Sequence, residues 1–270
     1  MTSEKTRRLL SMQTEIGRRR TASQARFDAI FALKSQRPII TFVDEQLEQL
    51  HQLISSSAKS PIIVSFHTTA YFLLLELLDG GASECAAIVN TSILRKMASL
   101  EDDRLKRVRF STTLTPDILR EAIRGKRSLF IMADVFLEDG VSAPLPFRDQ
   151  ALRYTISWAV LAIRYDLPVV LCLFKDRGDT ANVHIQTLPS NPRSPYHLAF
   201  DMFRRFEQCL GDDVDLWENY PAMELFGRRL PPVAAGLTNE LIADLGRLSL
   251  CDNDLAFAIS DWLKGRPEPC

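Results

Sequence analysis

A lone histidine stands where a buried strand is predicted to give way to a helix. The segment Pro61–Phe66, PIIVSF, is apolar and rich in β-branched residues, as expected of a strand buried on both faces. His67 follows, and a leucine-rich segment with helical spacing begins at about residue 70. Because the ordinary pKa of histidine is about 6.5, its imidazole can exchange protons near neutral pH. His67 is therefore a candidate general base, and a partly buried structural histidine is the alternative.

A base of this kind is usually oriented by a carboxylate. Glu76 lies nine residues after His67 and would face the opposite side of a regular helix, since each residue turns the helix by about 100°. Asp134 ends another predicted strand, RSLFIMAD at 127–134. The carboxyl ends of parallel strands meet at one edge of a sheet, so Asp134 is the preferred catalytic partner of His67. A turn-capping or helix-capping aspartate is the alternative.

Two threonines follow the histidine at the predicted start of a helix. The hydroxyls and backbone N–H groups of Thr68 and Thr69 could bind an anion or the oxyanion of a substrate. Either residue could instead be an ordinary N-cap. Both threonines are candidate substrate-binding residues.

The elements that must position these residues alternate along the chain. Strands are predicted at 61–66, 85–90, 108–111, 127–134, 140–147, 167–175 and 181–189. Helices are predicted at 5–35 (one or two), 44–55, 70–78, 92–100, 116–123, 149–165, 195–210, 238–248 and 252–264, and a loop with an anchored aromatic patch at 215–232. This order predicts an α/β fold with a mixed, mainly parallel central sheet flanked by helices, with N-terminal helices and short C-terminal helices.

Composition excludes several classes of protein. The 270 residues are 46% hydrophobic, which is typical of a globular chain, and no apolar run reaches the roughly 20 residues that span a bilayer. The start of the chain has no hydrophobic segment of a secretory signal. Five dispersed cysteines and four histidines without ligand spacing predict no disulfide framework and no metal site. We expect a cytoplasmic protein.

Charge and composition divide the chain into three parts. Residues 1–40 form a basic amphipathic helical arm with nine lysines and arginines against three acidic residues. Residues 41–230 form the α/β domain, and 231–270 form a helical appendage packed on it. The basic arm could be a solvated helix face or could contact an anionic membrane surface. Aromatic residues do not interleave with its arginines, so nucleic acid is not expected as a partner.

The succession of these motifs resembles the lysophospholipid acyltransferase superfamily, and within it the late (lauroyl and myristoyl) acyltransferases of lipid A biosynthesis. The matching features are His67 after its strand, Asp134, the arm GVSAPLPF at 140–147, the helix 149–165, the strand at 168–170, and YPAMELFGRR at 220–229. The resemblance covers about residues 40–230. It implies a glycerolipid acyltransferase-like sheet.

The resemblance also implies an activity. His67 would act as the base that lets a hydroxyl or amine of a biosynthetic intermediate attack an acyl thioester. The thioester of acyl carrier protein or coenzyme A would be the co-substrate, and no bound cofactor is expected. Carrier proteins are acidic, so the basic arm could dock one. No segment of residues 1–40 resembles the family's N-terminal membrane anchor, so we expect a soluble acceptor and at most peripheral contact with the inner membrane face.

One departure from the family pattern concerns the acid. The family places a carboxylate five residues after the histidine, and Phe72 stands there. Phe72 would line an acyl slot or belong to the core, and Arg148 lies where relatives bind polar or phosphorylated parts of the acceptor. The alternative function is a catalytically degenerate acyltransferase fold that serves as a binding or partner subunit.

Overall fold

The computed structural model describes residues 4–32, 48, 50–54, 59–68, 84–89, 94–95, 108–125, 127–135, 142–148, 150–176, 181–188, 194–226 and 228–229. Its helices are α1 (Glu4–Ala32), α2 (Pro116–Ile123), α3 (Ser157–Tyr165), α4 (Pro195–Leu210) and α5 (Tyr220–Phe226), with a 3-10 turn at Val214–Leu216. Its strands are β1 (Ile62–Ser65), β2 (Glu84–Ile88), β3 (Val108–Ser111), β4 (Arg127–Met132), β5 (Ser142–Phe147), β6 (Gln150–Thr155), β7 (Val169–Asp176), β8 (Ala181–Thr187) and β9 (Arg228–Arg229).

In the described part of the chain, six strands form one sheet in the order β3-β2-β4-β1-β7-β8. The strands from β3 to β7 are parallel, and β8 is antiparallel to β7. The fold is thus α/β with a mixed, mainly parallel sheet, as the sequence predicts. All four residues of β1 are buried. Its central place, with protein on both faces, explains its unbroken apolar run.

Alternate residues of β1 face two separate cores, because successive side chains of a strand point to opposite faces. Ile62 and Val64 belong to the larger core, which includes side chains of α3, α4 and the β5–β6 hairpin. Ile63 belongs to the smaller core on the other face, together with Leu50 and Ile54 of the helical residues 50–54. β1 is therefore held from both sides.

The predicted helix 149–165 is wrong over nearly its first half. Residues Gln150–Thr155 form β6, which pairs antiparallel with β5, and α3 begins only at Ser157. The hairpin forms its own sheet in the order β5-β6-β9. The proline-containing β5 is therefore an edge strand, the position in a sheet that tolerates proline.

The hairpin turn explains the error. Phe147 pairs with Gln150, so the turn has two residues, and Arg148 adopts a left-handed conformation with φ of 54°. Such turns are usually marked by glycine, asparagine or aspartate at the left-handed position, and arginine gives no such signal. The apolar positions Leu152 and Ile156 also fit a helix and a strand equally well, because a spacing of four satisfies both periods.

The predicted loop at 215–232 is likewise more ordered than expected. It contains the end of the 3-10 turn, α5 and β9. Its aromatic residue Trp217 is anchored as predicted: it is fully buried, with ring centroids 4.9 Å from Phe147 and 5.0 Å from Phe206. This packing fixes the segment that leads into α5.

The amino-terminal region forms one long helix, α1, which packs against α5. Searched over the described residues, the helices include none that is long and apolar enough to cross a membrane. The predicted helices at 70–78, 238–248 and 252–264 lie outside the described residues, as do most of the one at 92–100 and the appendage 231–270.

Candidate functional site

Two neighbouring parallel strands bring His67 and Asp134 together. The register of β1 and β4 pairs Ile62 with Leu129 and Ser65 with Met132, an offset of 67 residues. The same offset relates His67 to Asp134, so each lies two residues beyond the end of its strand at equivalent positions. The chain leaves β1 for β2 on one side and leaves β4 for β7 on the other. The pair therefore stands at a topological switch point, where open α/β sheets bind ligands.

The Asp134 carboxylate is fully buried and accepts hydrogen bonds from three of the described residues. His67 donates its backbone N–H at 3.0–3.2 Å and its ring Nδ1–H at 2.7 Å. Trp217 donates its indole Nε1–H at 2.6 Å, and Asn219 donates its amide at 3.1 Å. A buried carboxylate is stable as an anion only when it is hydrogen-bonded in this way.

The segment 217–219 is held against the end of β1 by its backbone. Thr68 and Trp217 form an isolated antiparallel bridge, and the N–H of Glu218 donates to the His67 carbonyl at 2.7 Å. The second Asn219 contact with Asp134 is to the backbone carbonyl, at 3.1 Å. These bonds fix the two side-chain donors relative to the carboxylate that they bind.

The contacts assign the tautomer of His67. Because the Asp134 carboxylate can only accept, Nδ1 carries the proton and the lone pair is on Nε2. The Asn219 amide nitrogen is 3.3 Å from Nδ1, and two nitrogens that both carry hydrogen do not form a bond. A neutral imidazole oriented in this way can accept a proton at Nε2, which is the arrangement of a general base with its orienting acid.

Burial and charge act on both members of the pair. Burial by itself would lower the pKa of His67, but the adjacent Asp134 carboxylate, with a smaller contribution from Glu218, raises it above its ordinary value. Burial by itself would raise the pKa of Asp134, but His67 and the Trp217 and backbone donors hold it below its ordinary value. Asp134 is thus an anion near neutral pH.

These two shifts predict how stability depends on pH. The lowered pKa of Asp134 stabilises the fold above about pH 4, and this contribution is lost as the pH falls through that pKa. The raised pKa of His67 stabilises the fold fully below about pH 6.5, and this contribution is lost as the pH rises through the raised pKa. The pair therefore contributes most between about pH 4 and 6.5.

Urea unfolding of the wild type and His67→Ala at about pH 5.5 and about pH 9 measures this effect. We expect the free energy of unfolding lost in the variant to be smaller at the higher pH. A loss that is the same at both pH values would contradict it.

The other sequence candidates lie in different surroundings. Thr68 is next to His67 and fully buried, and its hydroxyl has no hydrogen-bond partner among the described residues. Arg148 donates to the Gly211 carbonyl at 2.8 Å and lies over the Phe147 ring, so its visible role is to hold the end of α4. Thr69 and Phe72 lie outside the described residues.

Sequence reasoning missed Trp217, Glu218 and Asn219 as members of the site. They lie about 150 residues after His67 in what reads as a loop, so their spacing carries no signal. The one available hint was the aromatic patch in that loop, which needed an anchor. Within the ranges that the structure describes, no cluster of three potential metal ligands is present.

No protein-family model and no curated protein sequence significantly matches the chain. The function is therefore inferred from the geometry and chemistry of the site.

Proposed function

We propose that this protein is an acyltransferase that moves an acyl group from a thioester to a hydroxyl or amine. The observation that carries the proposal is the 2.7 Å contact between His67 Nδ1 and the Asp134 carboxylate at the switch point of a parallel sheet. It provides an oriented base at the edge where such sheets bind substrates. The order of motifs that resembles lysophospholipid acyltransferases supports the thioester chemistry and a glycerolipid acyltransferase-like form of the sheet.

The reaction follows from the tautomer. Nε2 of His67 takes the proton of the acceptor O–H or N–H as the acceptor attacks the thioester carbonyl. A carbon–oxygen or carbon–nitrogen bond forms and the carbon–sulfur bond breaks. Asp134 stabilises the imidazolium that forms, and the imidazolium returns its proton to the departing thiolate. No redox step and no bound cofactor are required, and the acyl thioester of carrier protein or coenzyme A is the co-substrate.

The alternative of a catalytically degenerate binding subunit depends on a missing carboxylate. Phe72 occupies the position where the family has its acid, but Asp134 provides a carboxylate from the neighbouring strand. A histidine and aspartate need only the correct geometry, not a fixed spacing in the sequence. We therefore favour catalysis over the binding role.

The test is an assay of acyl transfer. Purified protein is incubated with acyl carrier protein or coenzyme A thioesters and with soluble hydroxyl and amine acceptors, and free thiol and acylated product are measured. We expect turnover by the wild type and a loss on the order of 10⁴-fold in His67→Ala, the upper end of a general-base contribution. His197→Ala is the matched control, because the His197 imidazole contacts Ser194, the N-cap residue of α4, and should be dispensable.

Two outcomes would contradict the proposal. Undiminished turnover in His67→Ala would remove His67 from the mechanism. No product from the wild type with either donor, together with capture of a stoichiometric protein partner, would favour the binding subunit.

A further inference from the structure

One arginine of α1 is anchored in the segment that supports the candidate site. Arg19 donates to the backbone carbonyls of Val214 at 3.4 Å, Asp215 at 3.2 Å and Trp217 at 3.0 Å. It also pairs with the carboxylates of Glu15 at 2.9 Å and Asp215 at 3.0 Å. Its side chain is only 10% exposed, although it belongs to the basic arm that the sequence treats as separate.

These contacts use most of the hydrogen-bond donors of the Arg19 guanidinium. Arginine presents five N–H donors in a rigid, planar fork, so one side chain can hold several carbonyls in a fixed arrangement. Two of these carbonyls lie in the 3-10 turn Val214–Leu216, and the third belongs to Trp217, two residues before Asn219. Arg19 thus fixes the turn that leads to the Trp217 and Asn219 side chains, which donate to Asp134.

Three charged groups among the described residues act on the His67 imidazole. They are Asp134 at the end of β4, Glu218 in the segment 217–219, and Arg20 on α1. Glu218 is buried, its carboxylate lies 3.9 Å from the Arg20 guanidinium, and Arg20 also donates to the Asn219 side-chain oxygen at 3.4 Å. A displacement of α1 would therefore alter both the hydrogen bonds of Asp134 and the charges that act on His67.

We propose that Arg19 is a positioning residue, which acts through the turn at 214–217 to hold Trp217 and Asn219 on the Asp134 carboxylate. The N-terminal helix is then part of the site and not only a basic arm. The inference deepens the proposed function, because the pair that Arg19 supports is the one assigned to acyl transfer.

The test uses NMR of the full chain, which needs no substrate. In Arg19→Ala we expect the Trp217 indole N–H proton to move upfield, because its hydrogen bond to the carboxylate weakens. We also expect the pKa of His67 to fall, because Asp134 and Glu218 are held less closely against the imidazole. Arg18→Ala is the matched control, since the Arg18 side chain is 71% exposed, donates its hydrogen bonds to Glu15, and acts on Asp215 of the turn through its charge rather than through a hydrogen bond.

A lysine variant separates geometry from charge. Arg19→Lys keeps the charge but loses the fork, so a positioning role predicts shifts close to those of Arg19→Ala. Wild-type spectra in Arg19→Lys, or in Arg19→Ala, would overturn the proposal. His197 serves as an internal reporter of the fold, and loss of its native signal in both variants would assign Arg19 a general role in folding and would also overturn it.

The acyl-transfer assay gives a separate result. Arg19 contacts no reacting group, so Arg19→Ala should lower kcat while KM changes little. If the wild type transfers no acyl group, the proposed function fails, but the NMR shifts still decide whether Arg19 positions the pair.

Discussion

Asp134→Asn is expected to lower the rate of acyl transfer on the order of 10⁴-fold, the loss seen when an orienting carboxylate becomes an amide in a hydrolytic triad. The reason is the set of hydrogen-bond donors around the introduced asparagine side chain. The indole N–H of Trp217 can only donate, so the oxygen of the introduced amide must turn toward it. The amide NH2 then faces Nδ1 of His67.

This orientation inverts the tautomer of the histidine. With an NH2 group donating to Nδ1, the ring proton moves to Nε2, and the lone pair that would accept the substrate proton is lost. The imidazolium would also lack the charge that stabilises it. The loss should therefore appear in kcat, with the fold retained.

The measurement is steady-state acyl transfer, with circular dichroism to confirm that the variant is folded. Asp166→Asn is the matched control, because Asp166 is 81% exposed and ends α3 in a left-handed conformation that asparagine also accepts. We expect its rate to equal that of the wild type. Activity of Asp134→Asn within tenfold of the wild type would show that Asp134 does not orient the base.

Trp217→Phe is expected to reduce the free energy of unfolding by about 2 kcal/mol more than Trp158→Phe does. Both tryptophans are almost completely buried, so both substitutions remove a similar part of a ring from the core. Only Trp217 donates to a carboxylate, at 2.6 Å. The Trp158 indole nitrogen has no hydrogen-bond partner among the described residues.

The difference between the two variants therefore isolates one hydrogen bond. A phenyl ring at 217 can still pack against Phe147 and Phe206, but Asp134 loses a donor while it stays buried. A hydrogen bond to a charged group contributes about 1.5–3 kcal/mol, which sets the expected size. Urea unfolding of both variants at neutral pH measures it. Equal losses in the two variants would mean that the indole N–H contributes nothing to the stability of the carboxylate.

Local sequence signals were sufficient for several elements. The helices Pro116–Ile123 and Pro195–Leu210 begin and end where predicted, because each has a capping residue, Thr115 or Ser194, followed by a proline in its first turn. The strands β1 and β4 were equally clear, since a central strand must be apolar on both faces. The position of His67 at the end of a strand followed from the same pattern.

Local signals were misleading where two periods coincide or where a turn lacks its usual residue. The sequence predicts a helix where β6 forms, because Leu152 and Ile156 satisfy both periods and because Arg148 occupies a left-handed turn position. The tertiary pairing with β5 and β9 decided between the two.

The sequence by itself determined the α/β class, the histidine at the strand end and Asp134 as the preferred partner of that histidine. Only the tertiary structure decided which carboxylate reaches the imidazole, and that Trp217, Asn219 and Arg19 hold it there. The physical reason is that periodicity reports how each segment is buried, whereas strand order and register depend on packing between segments far apart in the chain. The sequence alone shows that position 72 is a phenylalanine and not an acid. The contact between Asp134 and His67 depends on which strands are neighbours in the sheet.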